Sequence, residues 1–231
     1  MAEPSAAPLA ILIPAYDCGT TIAAVVSGAR RHVSRVMVVD DGSSDATAQV
    51  AAAAGAEVLR QPANAGKGAA LRAGMAALVA SGVGRVLTMD GDGQHLPDQI
   101  PVLLEASARN PHALIVGARQ VAPGAATPIR LFGNRFANRW VAIACGVTFP
   151  DTQSGFRVYP MPETLALGAV GRHFDFETEV LIRAARGGIL VLSVPVQVYY
   201  PPPEERLSHF RPFLDTVRII RIVLRLILLG R

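Results

Sequence analysis

The chain is short of several things that would place it quickly. Among its 231 residues there are 2 cysteines, Cys18 and Cys145, and their separation follows no metal-ligand spacing. A disulfide framework is therefore excluded, and the reduced cytosol is the expected compartment. Aromatic residues make up 6%, too few for the stacking platforms that hold single-stranded nucleic acid. The start, MAEPSAAPLAILIPAY, has no positive n-region, and its apolar run stops at Pro14; neither a signal peptide nor a membrane anchor is expected there. Internal repeats are missing. So are G-x-x-x-x-G-K-[ST] and any G-x-G-x-x-G after a strand, which removes the P-loop and dinucleotide-binding classes.

What is present is apolar. Hydrophobic residues reach 51% against 17% charged and mean hydropathy is +0.34, so the chain is too apolar to be disordered and long enough for a sizeable core. The net charge of +4 is unevenly spread. Between Arg206 and Arg231, six arginines face Asp215 as the one acid, and the preceding chain is slightly acidic. Basicity confined to a tail is not a nucleic-acid stripe, and no nucleic-acid partner is expected.

The apolar runs Leu9–Ile13 and Val36–Val39 read as buried strands entering loops at Pro14 and Asp40. Thr20–His32, with a Thr cap, and Asp45–Ala54 read as helices. The alternation continues with a brief strand at Val58–Leu59, a helix from Gly68 to about Ser81, a strand at Arg85–Met89, a helix after Pro97 and a strand at Leu114–Gly117. This order predicts an α/β fold with a mostly parallel sheet, whose ligands gather at the carboxyl ends of the strands. Beyond about residue 120 the pattern loosens to a Pro/Gly/Ala loop (Val121–Pro128), a helix through Phe132–Ala144, the segment DTQSGFRVYP, a helix at Phe176–Arg186, a strand at Ile189–Tyr200 and a stiff Tyr199–Pro203 stretch.

The loop after the fourth strand, Met89-Asp-Gly-Asp-Gly-Gln-His95, sets two carboxylates and an amide oxygen on one glycine-loosened turn. Such a set suits a small hard cation with positions left open for phosphate oxygens; an acidic surface turn is the plain alternative. Its context tips the balance. Pro14-Ala-Tyr-Asp17, Asp40-Asp-Gly-Ser-Ser-Asp45 and Asn64-Ala-Gly-Lys-Gly68 also follow strand ends or open a helix. Lys67 is the one lysine beside 21 arginines, set where helix N-terminal amides could join it on a diphosphate. A nucleotidyltransferase would carry a Gly-rich loop after its first strand, and Pro14-Ala-Tyr16 is not one. His95 is left outside the cation set, and Trp140, Phe132 and Phe136 read as core.

These motifs, in this order over roughly residues 9–211, resemble glycosyltransferase family 2, in particular its branch of dolichyl-phosphate mannose synthase and polyprenyl-phosphate glycosyltransferases. The resemblance implies a GT-A (nucleotide-diphospho-sugar transferase) fold and an inverting transfer from a nucleoside diphosphate sugar, with Mg²⁺ or Mn²⁺, to a membrane lipid acceptor, foremost polyprenyl phosphate. It implies Pro14, Ala15, Tyr16, Asp17, Asp40, Asp41, Lys67, Asp90 and Gly91 for the nucleotide, and Asp90, Asp92 and Gln94 for the metal. Asp92 and Arg119 are implied as catalytic. Arg135, Asn138, Ser154 and Arg157 are implied for the acceptor phosphate, and Arg206 and His209 for the diphosphate. Two departures stand out: Asp17-Cys18 replaces the family's Asn-Glu after the tyrosine, and Arg206-Leu-Ser-His-Phe210 is shorter than its Arg…Ser-Lys counterpart.

A phosphate acceptor is largely ionised near neutral pH, its second pKa being about 6, so no general base is required. A hydroxyl acceptor, on a glycolipid or envelope glycan, would need one, with Asp151, Asp175 or Glu177 as candidates. A non-catalytic sugar-nucleotide or membrane-docking module is the alternative from another class. The expected organisation is a catalytic domain over 1–211, divided into a nucleotide half (1–120) and an acceptor half (121–211), followed by 212–231 as an amphipathic helix. In FLDTVRIIRIVLRLILL, Arg218, Arg221 and Arg225 recur at helical spacing and break any run of about 18 apolar residues. A helix lying on an anionic membrane surface is expected, at the cytoplasmic face and peripheral, with packing against the chain's own core as the other outcome.

Overall fold

The computed structural model describes residues 8–120, 138–200 and 212–229. Leu9–Ala15 (β1) and Val36–Asp40 (β2) are buried along their length. Their alternate side chains serve two layers: Leu12 and Val39 enter one apolar cluster, and Ile11, Ile13, Val36 and Val38 enter the other. A strand covered on both faces needs no polar alternation, which is why these runs are continuously hydrophobic. Glu57–Arg60 (β3), Arg85–Thr88 (β4), Leu114–Arg119 (β5), Arg157–Pro160 (β6) and Val191–Val196 (β7) complete a seven-stranded sheet in the order β3-β2-β1-β4-β6-β5-β7.

All described pairings are parallel except those of β6, which runs antiparallel between β4 and β5. This strand was not expected from the sequence. Only four residues long and starting with an arginine, it carries no hydropathy signal apart from the motif around it. Because β1 lies between β2 and β4, the chain leaves β1 in one direction and returns on the other side. That switch point opens a crevice at the carboxyl ends of these three strands.

Ile22–Arg30 (α1), Thr47–Ala53 (α2) and Ile100–Arg109 (α4), the last entered through a 3₁₀ turn at Pro97–Gln99, lie on one side with Ile22, Val26, Ala51, Ile100 and Leu103 in the core. Lys67–Ala80 (α3), a helix over 138–145 (α5), Glu163–Ala166 (α6) and Asp175–Arg186 (α7) take the other side. Leu71, Met75, Val141 and Leu181 are buried there. The expected Thr cap of α1 does not form. Thr21 makes no capping bond, and its hydroxyl instead donates to Gly91 O at 2.6 Å, tying the β1 loop to the acidic loop after β4.

Residues 212–229 form Pro212–Leu229 (α8). Ile219, Ile222, Val223 and Leu226 are buried in the same cluster as α7, and Arg186 donates from Nη1 to Leu226 O at 2.6 Å and from Nε to Ala144 O at 2.7 Å. Each such side chain contributes about 1.5–3 kcal/mol on burial, so these four hold the helix to the domain. The apolar residues expected to enter a bilayer are thus partly spent on the core. Leu214, Val217, Leu224 and Leu228 remain exposed, beside exposed Arg221 and Arg225. Among the described residues no helix is long and apolar enough to cross a membrane.

Gly42, in the loop after β2, has φ +73°, and a Cβ there would lie 2.6 Å from the Ala63 carbonyl carbon and 2.7 Å from Asn64 N. Both the backbone conformation and the space require glycine. Gly42→Ala should lower unfolding free energy by about 2 kcal/mol or more, read as a shift of the urea midpoint at unchanged slope; a midpoint within error of wild type would show that the 63–64 loop yields freely.

Candidate active site

The crevice holds a cavity of about 480 Å³ whose lining includes Pro14, Ala15 and Tyr16 from the β1 loop, Asp41 from the β2 loop, and Asp90, Gly91 and Asp92 from the β4 loop. Asn64, Gly66 and Lys67 at the start of α3, His173 and Phe174 before α7, and Asp215 and Arg218 of α8 also line it. Eight of the residues expected to meet a nucleotide sugar are therefore brought together: Pro14, Ala15, Tyr16, Asp41, Lys67, Asp90, Gly91 and Asp92.

At the floor lies a buried charge cluster. Lys67 Nζ is 2.6 Å from Asp90 Oδ1 and 2.9 Å from Glu177 Oε1, and it stands 5.3 Å from the centre of the Phe174 ring. Burial alone would push the ammonium pKa down, but the two carboxylates outweigh it and hold the group charged, well above its ordinary value. Asp90 is the converse case. Burial pulls its carboxyl up, and Lys67 brings it back below the usual range. Asp92 has no such partner, and burial, followed by the charge of Asp90, pushes it up to about 6.

The cluster leaves no room beside it. A Cβ on Gly155 would lie 2.6 Å from Glu177 Oε1, 2.7 Å from Lys67 Nζ and 3.1 Å from Asp90 Oδ1. Gly66 faces a similar constraint: with φ +98°, its Cβ would come within 2.4 Å of Arg172 O and His173 Nδ1. Asp41 fixes that turn, its Oδ1 accepting from Ala65 N at 2.9 Å and its Oδ2 from Gly66 N at 2.8 Å. The glycine of DTQSGF could have been singled out in the sequence as a close-approach position. The pairing of Lys67 with Glu177, 110 residues apart, leaves no local signal.

Other expected residues take different places. Asp17, in the left-handed region at φ 47°, accepts at Oδ1 from Ser44 N at 2.8 Å and so joins two loops outside the cavity lining. Asp40 is fully buried, accepting from Ser43 N at 3.0 Å, with Arg60 Nε 3.2 Å from its other oxygen. Neither lines the cavity. Arg119 grips Asp151 through Nε at 2.6 Å and Nη2 at 3.0 Å, a bidentate pair that holds the end of β5 to the 151–155 turn.

The acceptor-phosphate assignment is corrected most. Arg157 is 0% exposed, and it donates to Ser154 O at 2.7 Å, Glu177 O at 2.7 Å and Thr152 O at 2.9 Å. A guanidinium sealed in the core and spent on three carbonyls has no face for a substrate. Ser154 is buried and its hydroxyl accepts from Phe156 N at 3.3 Å. Asn138 donates to Pro150 O at 2.9 Å and accepts from Thr152 N and Oγ1 at 3.1 and 2.7 Å. These three shape the turn that brings Gly155 onto the charge cluster. Arg135, Arg206 and His209 lie outside the described residues, as do Val121–Pro128 and Pro201–Pro203.

The donor set at Asp90 and Asp92 fits a divalent cation such as Mg²⁺ or Mn²⁺: two hard anionic oxygen groups, one of them held without an ammonium partner. Among the described residues no cluster of three or more His, Cys, Asp or Glu exists that could enclose a metal, so the remaining positions would fall to water and substrate oxygens. Gln94, expected as a third ligand, hydrogen-bonds Asp92 instead, donating from Nε2 to Oδ2 at 2.7 Å and from N to Oδ1 at 3.0 Å. His95 is a brace. Its Nδ1 accepts from Asp90 N at 3.0 Å, it stacks on Phe156 with ring centres 4.9 Å apart, and burial pushes it down to about 4, which keeps it neutral.

Comparison with known proteins agrees with this fold. The model of glycosyl transferase family 2 matches residues 10–160. Glycosyltransferase AglJ of Haloferax volcanii is 33% identical over 208 residues, covering 89% of this chain and 67% of the relative. The polyprenol monophosphomannose synthase of Mycolicibacterium smegmatis is 30% identical over 200 residues, covering 80% and 75%. The undecaprenyl-phosphate mannosyltransferase of Micrococcus luteus is also 30% identical, covering 80% and 81%. Among solved structures, glucosyl-3-phosphoglycerate synthase of Mycobacterium tuberculosis with Mn²⁺, uridine diphosphate and phosphoglyceric acid superposes with a TM-score of 0.71 at 20% identity, covering 94% of this chain and 78% of that one. At that identity the superposition establishes the shared fold.

Two outcomes are expected. Arg157→Ala should lower stability by about 3 kcal/mol or more, since three carbonyls lose a charged donor, and Arg157→Lys should not restore it, because an ammonium cannot reproduce the planar fork; an urea midpoint unchanged in Arg157→Ala would return this residue to the substrate side. A proton must leave Asp92 before a cation binds there, so Mn²⁺ affinity measured by calorimetry should fall about tenfold per pH unit below about 6. Without metal the sign of the stability effect is opposite: the folded chain holds this proton where the unfolded chain has lost it, so Asp92's contribution to stability falls as pH rises from the ordinary carboxylate range to about 6. Mn²⁺ affinity that stays flat from about pH 5 to pH 7 would place the cation elsewhere.

Proposed function

The chain belongs to glycosyltransferase family 2, and from that premise we propose that it transfers a sugar, with inversion, from a nucleoside diphosphate sugar to the phosphate of a membrane polyprenyl phosphate. The observation that carries this is the cavity at the switch point, which Tyr16, Asp41, Asp90, Asp92 and Lys67 line together. The names of the relatives, a polyprenol monophosphomannose synthase and an undecaprenyl-phosphate mannosyltransferase, supply the acceptor class.

In the proposed step an acceptor phosphate oxygen forms a bond to the anomeric carbon while the bond from that carbon to the donor diphosphate breaks, its electron pair leaving with the nucleoside diphosphate. Mg²⁺ or Mn²⁺, held by Asp90 and Asp92, supplies neutralisation of the leaving charge when bound. Lys67 stands in the same place with a permanent positive charge, pre-set by Asp90 and Glu177, so its contribution requires no reorganisation during reaction. Tyr16 and Asp41, which also line the cavity, are assigned to the nucleoside.

The geometry also bears on the acceptor. A hydroxyl acceptor needs a carboxylate free to take its proton, and each candidate is committed. Asp151 is forked to Arg119, Asp175 accepts from His173 N at 2.8 Å, and Glu177 is paired with Lys67. A phosphate acceptor needs none of them. The non-catalytic alternative is disfavoured by the intact Asp90, Asp92 and Lys67. For the membrane, the outer face of α8 presents Leu214, Val217, Leu224 and Leu228 with Arg221 and Arg225; arginines near an anionic surface contribute about 1 kcal/mol each, which supports a peripheral position at the cytoplasmic face.

The test is to incubate the protein with Mg²⁺ or Mn²⁺, a panel of labelled sugar nucleotides and polyprenyl phosphate, following organic-soluble label, nucleoside diphosphate release and the anomeric configuration of the product. One sugar nucleotide should yield labelled lipid phosphate of inverted configuration, and Asp92→Ala should abolish it while remaining cooperatively folded. Label that enters lipid through a hydroxyl, or no diphosphate release with any donor, would overturn the proposal.

A further inference from the structure

Arg218 is reached from the balance of charge in the cavity wall. Among the described residues, its lining carboxylates are Asp41, Asp90, Asp92 and Asp215, and its lining cations are Lys67 and Arg218. Lys67 already answers two anions, Asp90 and Glu177. A substrate bearing phosphate would meet a lysine already shared between two carboxylates, so a second cation in the wall matters.

Four other arginines among the described residues are committed to the protein. Arg157 is sealed on three carbonyls, Arg119 is forked to Asp151, Arg183 is paired with Glu179, and Arg186 caps the ends of α5 and α8. Arg218 differs from all of them in lining the cavity with its side chain 36% exposed. Its recorded partner is Asp215, which it meets through Nη1 at 2.7 Å across one helical turn. Asp215 is 2% exposed. A buried carboxylate beside a half-open guanidinium fixes one edge of the planar fork and leaves the group charged and aimed, the arrangement that favours bidentate binding of a phosphate.

We propose that Arg218, carried by α8 and positioned by Asp215, binds a phosphate oxyanion of a substrate in this cavity. The inference rests on the reading of the protein as a phosphate-using glycosyltransferase, and it makes α8 part of the site as well as an outer surface. It also removes Arg218 from the basic stripe expected to face a membrane, leaving Arg221 and Arg225 there. Two sources share the ligand chemistry: the diphosphate of the donor and the monophosphate of the acceptor.

The experiment measures binding, independently of turnover. Calorimetry with Mg²⁺ plus uridine or guanosine diphosphate forms one arm, and titration with a short-chain, water-soluble isoprenyl phosphate forms the other. Arg218→Ala should weaken one arm by tenfold or more and leave the other within about twofold, which identifies the source, and Arg218→Lys should recover only part of the loss. Because Arg218→Ala takes an ion-pair partner from a buried carboxylate, the pair Arg218→Ala/Asp215→Asn is made as well; it should melt closer to wild type than Arg218→Ala does and still bind phosphate weakly. Unchanged affinity in both arms, or affinity restored by the double variant, would overturn the role of Arg218. Failure of the wild type to bind either phosphate compound would instead overturn the proposed transfer to polyprenyl phosphate, and this inference with it.

Discussion

The structure depends on one buried ammonium. Lys67 joins three pieces of chain that are far apart in sequence: the start of α3, the loop after β4 through Asp90, and the start of α7 through Glu177. Taking such charges out of water costs several kcal/mol per ion, recovered only where geometry is good and partners are complete. With one cation between two carboxylates the cluster is tightly bound yet acidic in sum. The balance explains why glycine is required at position 155, where any side chain would occupy the space of the ion pairs. It also explains why the neighbouring Asp92 is left as an acid awaiting a cation.

A second constraint is the division of labour among arginines. The chain uses one residue type for two purposes, and burial separates them. Where a guanidinium is enclosed, its donors go to backbone carbonyls or to a forked carboxylate. Arg157 and Arg119 thereby become the struts of the 151–157 turn, and that turn in turn presents Gly155 to the lysine. Where it remains partly open against the cavity, as at Arg218, it stays available to an anion. Motif membership does not separate the two cases; solvent access does.

α8 connects these inner constraints to the outside. Its inward face is buried with α7, its first two turns reach the cavity through Asp215 and Arg218, and its outward face carries leucines, a valine and two arginines. A helix of this kind can meet a lipid surface and a soluble substrate pocket at once, because its two faces are a helix diameter of about 10 Å apart.

The sequence by itself determined the alternating β-α order, the parallel core strands and the loops that carry the chemistry. Those features are local: a continuous apolar run ended by proline or paired aspartates marks a strand covered on both faces and the loop at its carboxyl end. It also marked Asp90, Asp92, Lys67 and Tyr16, since the loops holding them follow strand ends or open a helix in the expected order. Only the tertiary structure decided that β6 runs antiparallel, that Asn138, Ser154 and Arg157 are spent inside the protein, that Glu177 completes the lysine cluster, and that α8 walls the cavity. The physical reason is the same in each case. Whether an arginine or a carboxylate meets solvent, substrate or a carbonyl is set by which distant backbone segment packs over it, and residue type and spacing carry no record of that packing.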